Sequence, residues 1–175
     1  LEESLANFFG TESAILYAQG YSAVSSVIPA FSKRGDVIIA DEMANDAIVS
    51  GMKVSRSYVY YFKHNDLEDL ERLLIEAEHK HGSRKFSRRF IVTESLFQRS
   101  GCYGNLEDIV MMKKKFKYRL IVDNSTGLGT KGPRCNGLDC SNPKDIDIIV
   151  GTLAGVVGGA GGYCAGNLAI IDHQV

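Results

Sequence analysis

The residues of this sequence that could bind a ligand lie in the turns after short apolar segments. Gly20 and Tyr21 separate an apolar segment from an amphipathic one, so their backbone N–H groups could receive a phosphate at the start of a helix. Asp123 is a carboxylate that directly follows the apolar residues 120–122. Glycine also suits any tight turn, and a strand-end aspartate can simply bind nearby backbone amides. Both interpretations therefore depend on the fold around these residues.

The surrounding sequence alternates between apolar runs and amphipathic stretches. The runs predict strands at residues 14–18, 37–40, 58–62, 90–93, 120–122 and 146–150. The amphipathic stretches predict helices at residues 20–29, 45–52, 66–77 and 106–117. This pattern predicts an α/β fold, with a mostly parallel sheet covered by helices on both faces. Ligands bind beyond the carboxyl ends of such strands, so we expect a site at residues 20–21, 41–45, 94–98, 123–126 and 151–155.

Composition excludes several classes of protein. The 20 Lys and Arg residues nearly balance the 21 Asp and Glu residues, so no overall charge favours a nucleic-acid partner. The four cysteines form no CxxC pair and indicate reduced thiols in a cytosolic environment; a zinc site at Cys135 and Cys140 would lack partners. Two basic segments, residues 79–89 and 113–119, are most simply solvated surface, with contact to an anionic membrane or an acyl-CoA phosphate as the alternative.

The sequence begins and ends abruptly, and it contains no apolar run of membrane-spanning length and no signal peptide. We expect it to be the middle of a longer protein, in which a membrane helix could precede Leu1.

A series of motifs runs in the same order along the whole chain as in one known family. The motifs are residues 1–10, 12–17, 20–21, 34–36, 62–66, 70–71, 93–94, 122–123, 129, 132 and 147–152. Together they resemble the large domain of the α-oxoamine synthases, fold-type-I enzymes that use pyridoxal 5'-phosphate (PLP) to condense an amino acid with an acyl-CoA. The resemblance implies that residues 1–175 are the central part of that domain, without its N-terminal segment and C-terminal small domain.

Within this family, the sequence is most similar to the non-catalytic subunits of serine palmitoyltransferases. The segments that carry this likeness are residues 28–36, 55–57, 62–72, 87–92 and 171–174. The resemblance implies a heterodimer with a homologous catalytic subunit, which alone holds PLP covalently, on the cytosolic face of the endoplasmic reticulum membrane. The complex would condense L-serine with palmitoyl-CoA to 3-ketodihydrosphingosine, which starts sphingolipid synthesis. Membrane association would depend on segments outside this sequence.

The Gly-rich run from Gly151 to Tyr163 contains no lysine. In the family that the sequence resembles, this run carries the lysine that forms a Schiff base with PLP, and Gly155 stands at its position. A Schiff base needs a primary amine on a long side chain, which glycine lacks. We therefore expect this chain to bind no PLP covalently and to be inactive alone.

Other positions of the implied cofactor site have also changed. Asn45 stands where active members place a histidine on the PLP ring, and Thr126 stands where they place a second histidine. Gln98 replaces a small serine. For Asn45 we favour the simpler interpretation, in which it or Asp46 caps a helix.

The retained positions leave a degenerate cofactor site. Asp123 matches the carboxylate that pairs with the pyridine nitrogen, although non-catalytic subunits tend to lack it. Gly20 and Tyr21 match the turn that receives the phosphate, and Thr152 is a further position expected to contact the cofactor. Because of Asp123, an active α-oxoamine synthase that uses another amine is the alternative function, and a fragment without a stable fold is a third hypothesis.

Overall fold

The structure is a computed structural model that describes residues 1–81 and 87–174. Seven strands form one sheet: β1 Ser13–Tyr17, β2 Val37–Asp41, β3 Tyr58–Phe62, β4 Arg89–Glu94, β5 Arg119–Asp123, β6 Ile148–Thr152 and β7 Gly162–Gly166. The α-helices are α1 Glu2–Phe9, α2 Gly20–Phe31, α3 Asp46–Ser55, α4 Leu67–His81, α5 Leu106–Phe116 and α6 Leu168–Asp172. Two single-turn 3₁₀ helices, at Pro133–Cys135 and Pro143–Asp145, lie between β5 and β6. Part of the basic segment at residues 79–89 lies outside the described residues.

The strand order across the sheet is β1-β7-β6-β5-β4-β2-β3. Strands β6, β5, β4, β2 and β3 pair in parallel, whereas β7 is antiparallel to both of its neighbours, β6 and β1. Six strands therefore point in one direction and β7 points in the other. The predicted α/β fold with a mostly parallel sheet is confirmed.

The core lies on both faces of this sheet, because the central strands are apolar at nearly every position. Strand β2 is buried along its whole length, and the side chains of Ile38 and Ile39 enter opposite clusters. One cluster contains the apolar faces of α1, α4 and α5, and the other contains those of α2, α3 and α6. Burial on both faces explains why these strands appear in the sequence as continuous apolar runs.

Several boundaries differ from the sequence predictions by a few residues, and two of these differences and one unpredicted strand have a physical explanation. Helix α2 continues past Pro29 to Phe31, so the proline occupies its last turn instead of ending it. Strand β6 begins at Ile148 and not at residue 146, because Leu120 N on β5 donates to the Asp147 carboxylate (2.7 Å) and not to a backbone carbonyl of the neighbouring strand; the same carboxylate accepts from Lys113 Nζ (2.5 Å). Strand β7 was not predicted, since its sequence begins and ends with glycine and contains no β-branched residue.

The cysteines are unpaired: Cys102 and Cys135 are exposed, Cys140 is half-buried and Cys164 is buried. Within residues 1–81 and 87–174, the structure holds no cluster of three or more His, Cys, Asp or Glu side chains arranged for a metal ion. None of the helices in the same residues is both long and apolar enough to cross a membrane.

Candidate functional site

A cavity of about 320 Å³ opens at the carboxyl ends of the parallel strands. Five of the predicted turns contribute to it or lie directly beside it. Its lining residues are Gly20, Tyr21, Val24, Asn45, Asp46, Ala47, Gln98, Asp123, Ser125 and Thr152. Among the described residues, no lysine, arginine or histidine lines this cavity.

One end of the cavity is the first turn of α2. Gln19 is the N-cap in extended conformation, and the first hydrogen bond of the helix joins Ala23 N to Gln19 O at 3.0 Å. The N–H groups of Gly20 and Tyr21 precede this bond, so neither has a carbonyl acceptor within the helix. A helix start with free N–H groups and its positive dipole end can hold a phosphate.

Glycine is required at position 20 because α2 begins against the end of β6. A Cβ atom on Gly20 would overlap the Thr152 hydroxyl and lie 2.5 Å from Thr152 Cβ. Gly162 packs equally closely from β7, where a Cβ would lie 2.8 Å from Gly20 Cα. Thr152 is itself held by two hydrogen bonds, from Ala154 N at 3.1 Å and to Gly161 O at 3.2 Å. The glycines at positions 161–162 therefore pack within the chain, beside the candidate phosphate end.

Replacing Gly20 with alanine should displace α2 and narrow this end of the cavity. We expect G20A to lower the free energy of unfolding by about 1–3 kcal/mol, because the new methyl group meets fixed atoms and not solvent. Chemical denaturation of G20A and of G155A measures the effect. A Cβ at Gly155 finds its nearest atom, Ser125 O, at 4.0 Å, so G155A should unfold like the unmodified chain. Equal stabilities of the two variants would contradict the close approach of α2 to Thr152.

At the other end of the cavity, the lining residue Asp123 is paired with a second buried carboxyl group on the neighbouring strand. Glu94 and Asp123 are paired residues at the ends of β4 and β5, and both are 2% exposed. Asn45 links them: its backbone N donates to Glu94 Oε1 at 2.8 Å, and its side-chain Nδ2 donates to Asp123 Oδ2 at 2.7 Å. The Ser125 backbone N and hydroxyl both donate to Asp123 Oδ1, at 2.9 and 2.6 Å.

Neither carboxyl group forms an ion pair within the described part of the chain. Burial raises the pKa of Asp123, an effect that the Ser125 and Asn45 hydrogen bonds oppose. Burial and the nearby Asp123 charge raise the pKa of Glu94 to about 7. Two buried carboxyl groups this close together are stabilised when one of them is protonated or when a positively charged ligand group lies beside them.

Asn45 has two structural roles at once. Its Oδ1 accepts hydrogen bonds from Ala47 N (3.0 Å) and Ile48 N (3.1 Å), which makes it the N-cap of α3. The predicted cap is thus confirmed for Asn45. Because Oδ1 is used by the helix, Nδ2 is left to face Asp123, so the cap also orients an amide donor into the cavity.

The structure brings together six of the eight site positions that the sequence indicates. The six that line the cavity are Gly20, Tyr21, Asn45, Gln98, Asp123 and Thr152. Two positions do not line it.

Thr126 is exposed in the turn after β5, three residues after Asp123, and Gly155 is exposed in the loop after β6. Thr126 therefore does not line the cavity, and its contact with a cofactor stays a prediction. Gly155 has open space around it, with Ser125 O 4.0 Å from an added Cβ.

Glu94 and Ser125 lie within the ranges in which the sequence predicts a site, but the sequence assigned neither of them a role. Glu94 ends an apolar strand in the same way as Asp123, and that repeated pattern was the available signal. Ser125 gives no such signal, because its contact with Asp123 depends on how the turn bends after β5.

Comparison with known proteins places this chain among PLP-related enzymes. A family model described as aminotransferase class I and II matches residues 1–175. Long chain base biosynthesis protein 1c of Oryza sativa subsp. japonica is 40% identical over 176 residues, which is 99% of this chain and 36% of that protein. Serine palmitoyltransferase 1 of Saccharomyces cerevisiae is 41% identical over 181 residues, 99% of this chain and 32% of that protein. The chain thus spans roughly a third of the length of these curated relatives.

Solved structures agree with this assignment. A serine palmitoyltransferase from Sphingomonas wittichii superposes with a TM-score of 0.87 and 29% identity, over 98% of this chain and 42% of that one. A high-resolution structure of SPT with PLP bound superposes with a TM-score of 0.83 and 28% identity, over 98% and 42% of the two chains. The seven-stranded sheet with its single reversed strand is the PLP-dependent transferase fold of these structures, and the chain belongs to the aminotransferase class I and II family.

Proposed function

We propose that residues 1–175 are the central part of the large domain of a non-catalytic serine palmitoyltransferase subunit. The full protein would support, with a catalytic partner, the condensation of L-serine with palmitoyl-CoA to 3-ketodihydrosphingosine in sphingolipid synthesis. The observation that carries this proposal is the glycine at position 155, in a loop beside a cavity whose described lining contains no lysine.

The position of Gly155 supports its correspondence to the missing lysine. An added Cβ there would lie 4.0 Å from Ser125 O, and Ser125 binds the Asp123 carboxylate from the same turn. A long amine from this point could extend toward the cavity, but glycine has no side chain to do so. The chain therefore lacks the group that would attach PLP covalently.

The remaining residues fit the two polar ends of PLP. The Gly20 and Tyr21 N–H groups would hold the phosphate beside Thr152, and the buried Asp123 carboxylate would face the pyridine nitrogen. PLP supplies an electron sink for carbanion chemistry when it is bound. In this chain Asn45 Nδ2 already donates to Asp123, so the carboxylate is satisfied by an amide and the site is degenerate. We propose that the PLP of the complex is covalently held by the partner subunit.

The partner that we propose is a homologous, lysine-bearing serine palmitoyltransferase subunit, in a heterodimer. The names of the relatives support this assembly indirectly, since they are serine palmitoyltransferase 1 and long chain base biosynthesis proteins 1. We place the complex at the cytosolic face of the endoplasmic reticulum membrane, with membrane association through segments outside residues 1–175. A subunit that has no catalytic activity of its own can still stabilise its partner and position groups at a shared site.

The second candidate is an active PLP-dependent α-oxoamine synthase. The observation that favours it is Asp123, which is buried at the end of β5 with both oxygens oriented by hydrogen bonds. An active enzyme would need an amine from outside the described cavity lining to take the place of Gly155.

Synthesis of 3-ketodihydrosphingosine from L-serine and palmitoyl-CoA separates the two candidates. The full-length protein is assayed alone and after co-expression with the lysine-bearing homologue of the same organism. We expect product only from the pair, with the two proteins co-purifying. Product from the full-length protein alone would support the second candidate and overturn the first.

A further inference from the structure

Three side chains outside the candidate cavity form a continuous hydrogen-bonded series. Asp41 ends β2, His64 lies in the turn between β3 and α4, and Ser100 lies in the turn between β4 and α5. The Asp41 Oδ1 to His64 Nδ1 distance is 2.9 Å, and the His64 Nε2 to Ser100 Oγ distance is also 2.9 Å. The series lies at the carboxyl edge of the sheet, displaced toward β3, and none of its members lines the cavity.

The other contacts of these side chains determine where the protons are. Asp41 accepts hydrogen bonds from Met43 N (2.8 Å) and Asn65 N (3.0 Å), so its carboxylate acts as an acceptor. His64 Nδ1 must therefore carry a proton toward Asp41, which leaves Nε2 as an acceptor in the neutral ring. The Ser100 Oγ accepts from Cys102 N at 3.2 Å, so its own proton is free to point at His64 Nε2.

The buried part of the series is rigidly held, and the hydroxyl end is accessible. The Asp41 side chain is 1% exposed and the His64 side chain 21% exposed. The His64 ring packs edge-on against buried Phe97, with centroids 4.6 Å apart and an interplanar angle of 83°. Ser100 is exposed at the tip of its turn. A nucleophile, a base and an orienting carboxylate are thus in the order that activates a serine.

Backbone N–H groups that could stabilise negative charge lie at the same turn. Gln98 N donates to Glu94 Oε2 and Gly101 N donates to Phe97 O. Within the described residues, the intervening N–H groups of Arg99 and Ser100 have no hydrogen-bond acceptor. Donors next to a nucleophilic serine are the type of group that binds the oxyanion of acyl transfer.

We propose that Ser100, His64 and Asp41 form a second reactive site, at which Ser100 accepts an acyl group from an activated ester or thioester. Ser100 Oγ bonds to the acyl carbon as its proton moves to His64 Nε2. The carbon–sulfur or carbon–oxygen bond to the leaving group then breaks, and His64 returns the proton to the departing thiol or alcohol. Water releases the acyl group by the reverse sequence, so the net reaction is hydrolysis of the ester or thioester.

Labelling of the full-length protein with a fluorophosphonate probe tests this site without PLP or the partner. An activated serine displaces fluoride from the probe and becomes phosphonylated, and peptide mass spectrometry identifies the modified residue. We expect Ser100 to react faster than exposed Ser26, whose hydroxyl donates to a backbone carbonyl. We expect H64Q to slow the reaction at Ser100 by on the order of a hundredfold, the lower range for loss of a general base.

S100A is the matched variant for turnover, because removing an exposed hydroxyl leaves the Asp41–His64 pair in place. The S100A protein should hydrolyse a short acyl thioester of cysteamine no faster than the buffer alone does. If Ser100 is labelled no faster than Ser26, the proposal is overturned. Both rates are measured in the unmodified protein, so this comparison does not depend on the folding of a variant. Unchanged thioester hydrolysis in S100A would overturn it as well. Both outcomes are independent of ketosphinganine synthesis, which tests the proposed function.

Discussion

PLP should attach covalently to the full-length protein when Gly155 is replaced by lysine, and not before. The backbone at Gly155 is outside the left-handed region, and an added Cβ has no neighbour closer than 4.0 Å, so G155K introduces an amine without strain. The Gly20 turn and Asp123 would hold the two polar ends of PLP beside that amine. Borohydride reduction followed by peptide mass spectrometry should find a pyridoxyl group at position 155 at near-complete occupancy.

G159K is the matched control for this experiment. Gly159 lies in the same exposed loop, and an added Cβ there would also have open space, with Leu153 O at 3.9 Å. A lysine at position 159 should gain no more pyridoxyl label than surface lysines gain at random. Equal labelling of G155K and G159K would contradict the assignment of Gly155. Specific labelling of a lysine in the unmodified protein would contradict the proposal that this chain holds no PLP covalently.

The variant E94Q should be more stable than the unmodified protein at pH 8, by about 4 kcal/mol at most. Burial raises the pKa of Glu94 to about 7, whereas an unfolded glutamate titrates near its usual value of about 4.3. Between these two pH values the folded state holds a proton that the unfolded state has released. The free energy of unfolding therefore falls as pH rises through this window, and the loss is complete above pH 7 or so. Glutamine is neutral throughout and keeps an oxygen for Asn45 N.

Denaturant unfolding at pH 5 and at pH 8 measures this effect as the difference between E94Q and the unmodified protein. The two proteins should have similar stability at pH 5 and diverge at pH 8. E3Q is the control, since Glu3 is exposed in the first turn of α1 and should change the stability little at either pH. A constant difference between E94Q and the unmodified protein across this range would show that Glu94 is not buried beside Asp123.

Most of the fold was predictable because each central strand carries its own signal. Residues 58–62 were predicted as a strand with the observed bounds, and the strand at residues 37–40 was extended only by Asp41. Strand β2 is buried on both faces, so its sequence is apolar at consecutive positions. Strand β3 lies at the edge of the sheet, and its signal is instead a run of aromatic and β-branched residues. Strand β7 lacks this signal, because Gly162 and Gly166 delimit a short segment that becomes a strand only by pairing with β1 and β6.

The sequence by itself determined which turns follow the strands, and so which residues meet at the carboxyl edge of the sheet. It also determined that the Gly-rich run has no lysine, since that is a matter of residue type alone. Local rules were enough for Asn45 as a helix cap, because the cap contacts residues only two and three positions away.

Only the tertiary structure decided which side chains within those turns face one another. Asn45 and Asp123 are 78 residues apart in the chain, and Asp41, His64 and Ser100 come from three separate turns. The order of the strands in the sheet brings these residues together, and the bend of each turn sets the direction of each side chain. Thr126 and Gly155 share the same turns as cavity residues and still lie outside its lining, because direction is not encoded in spacing.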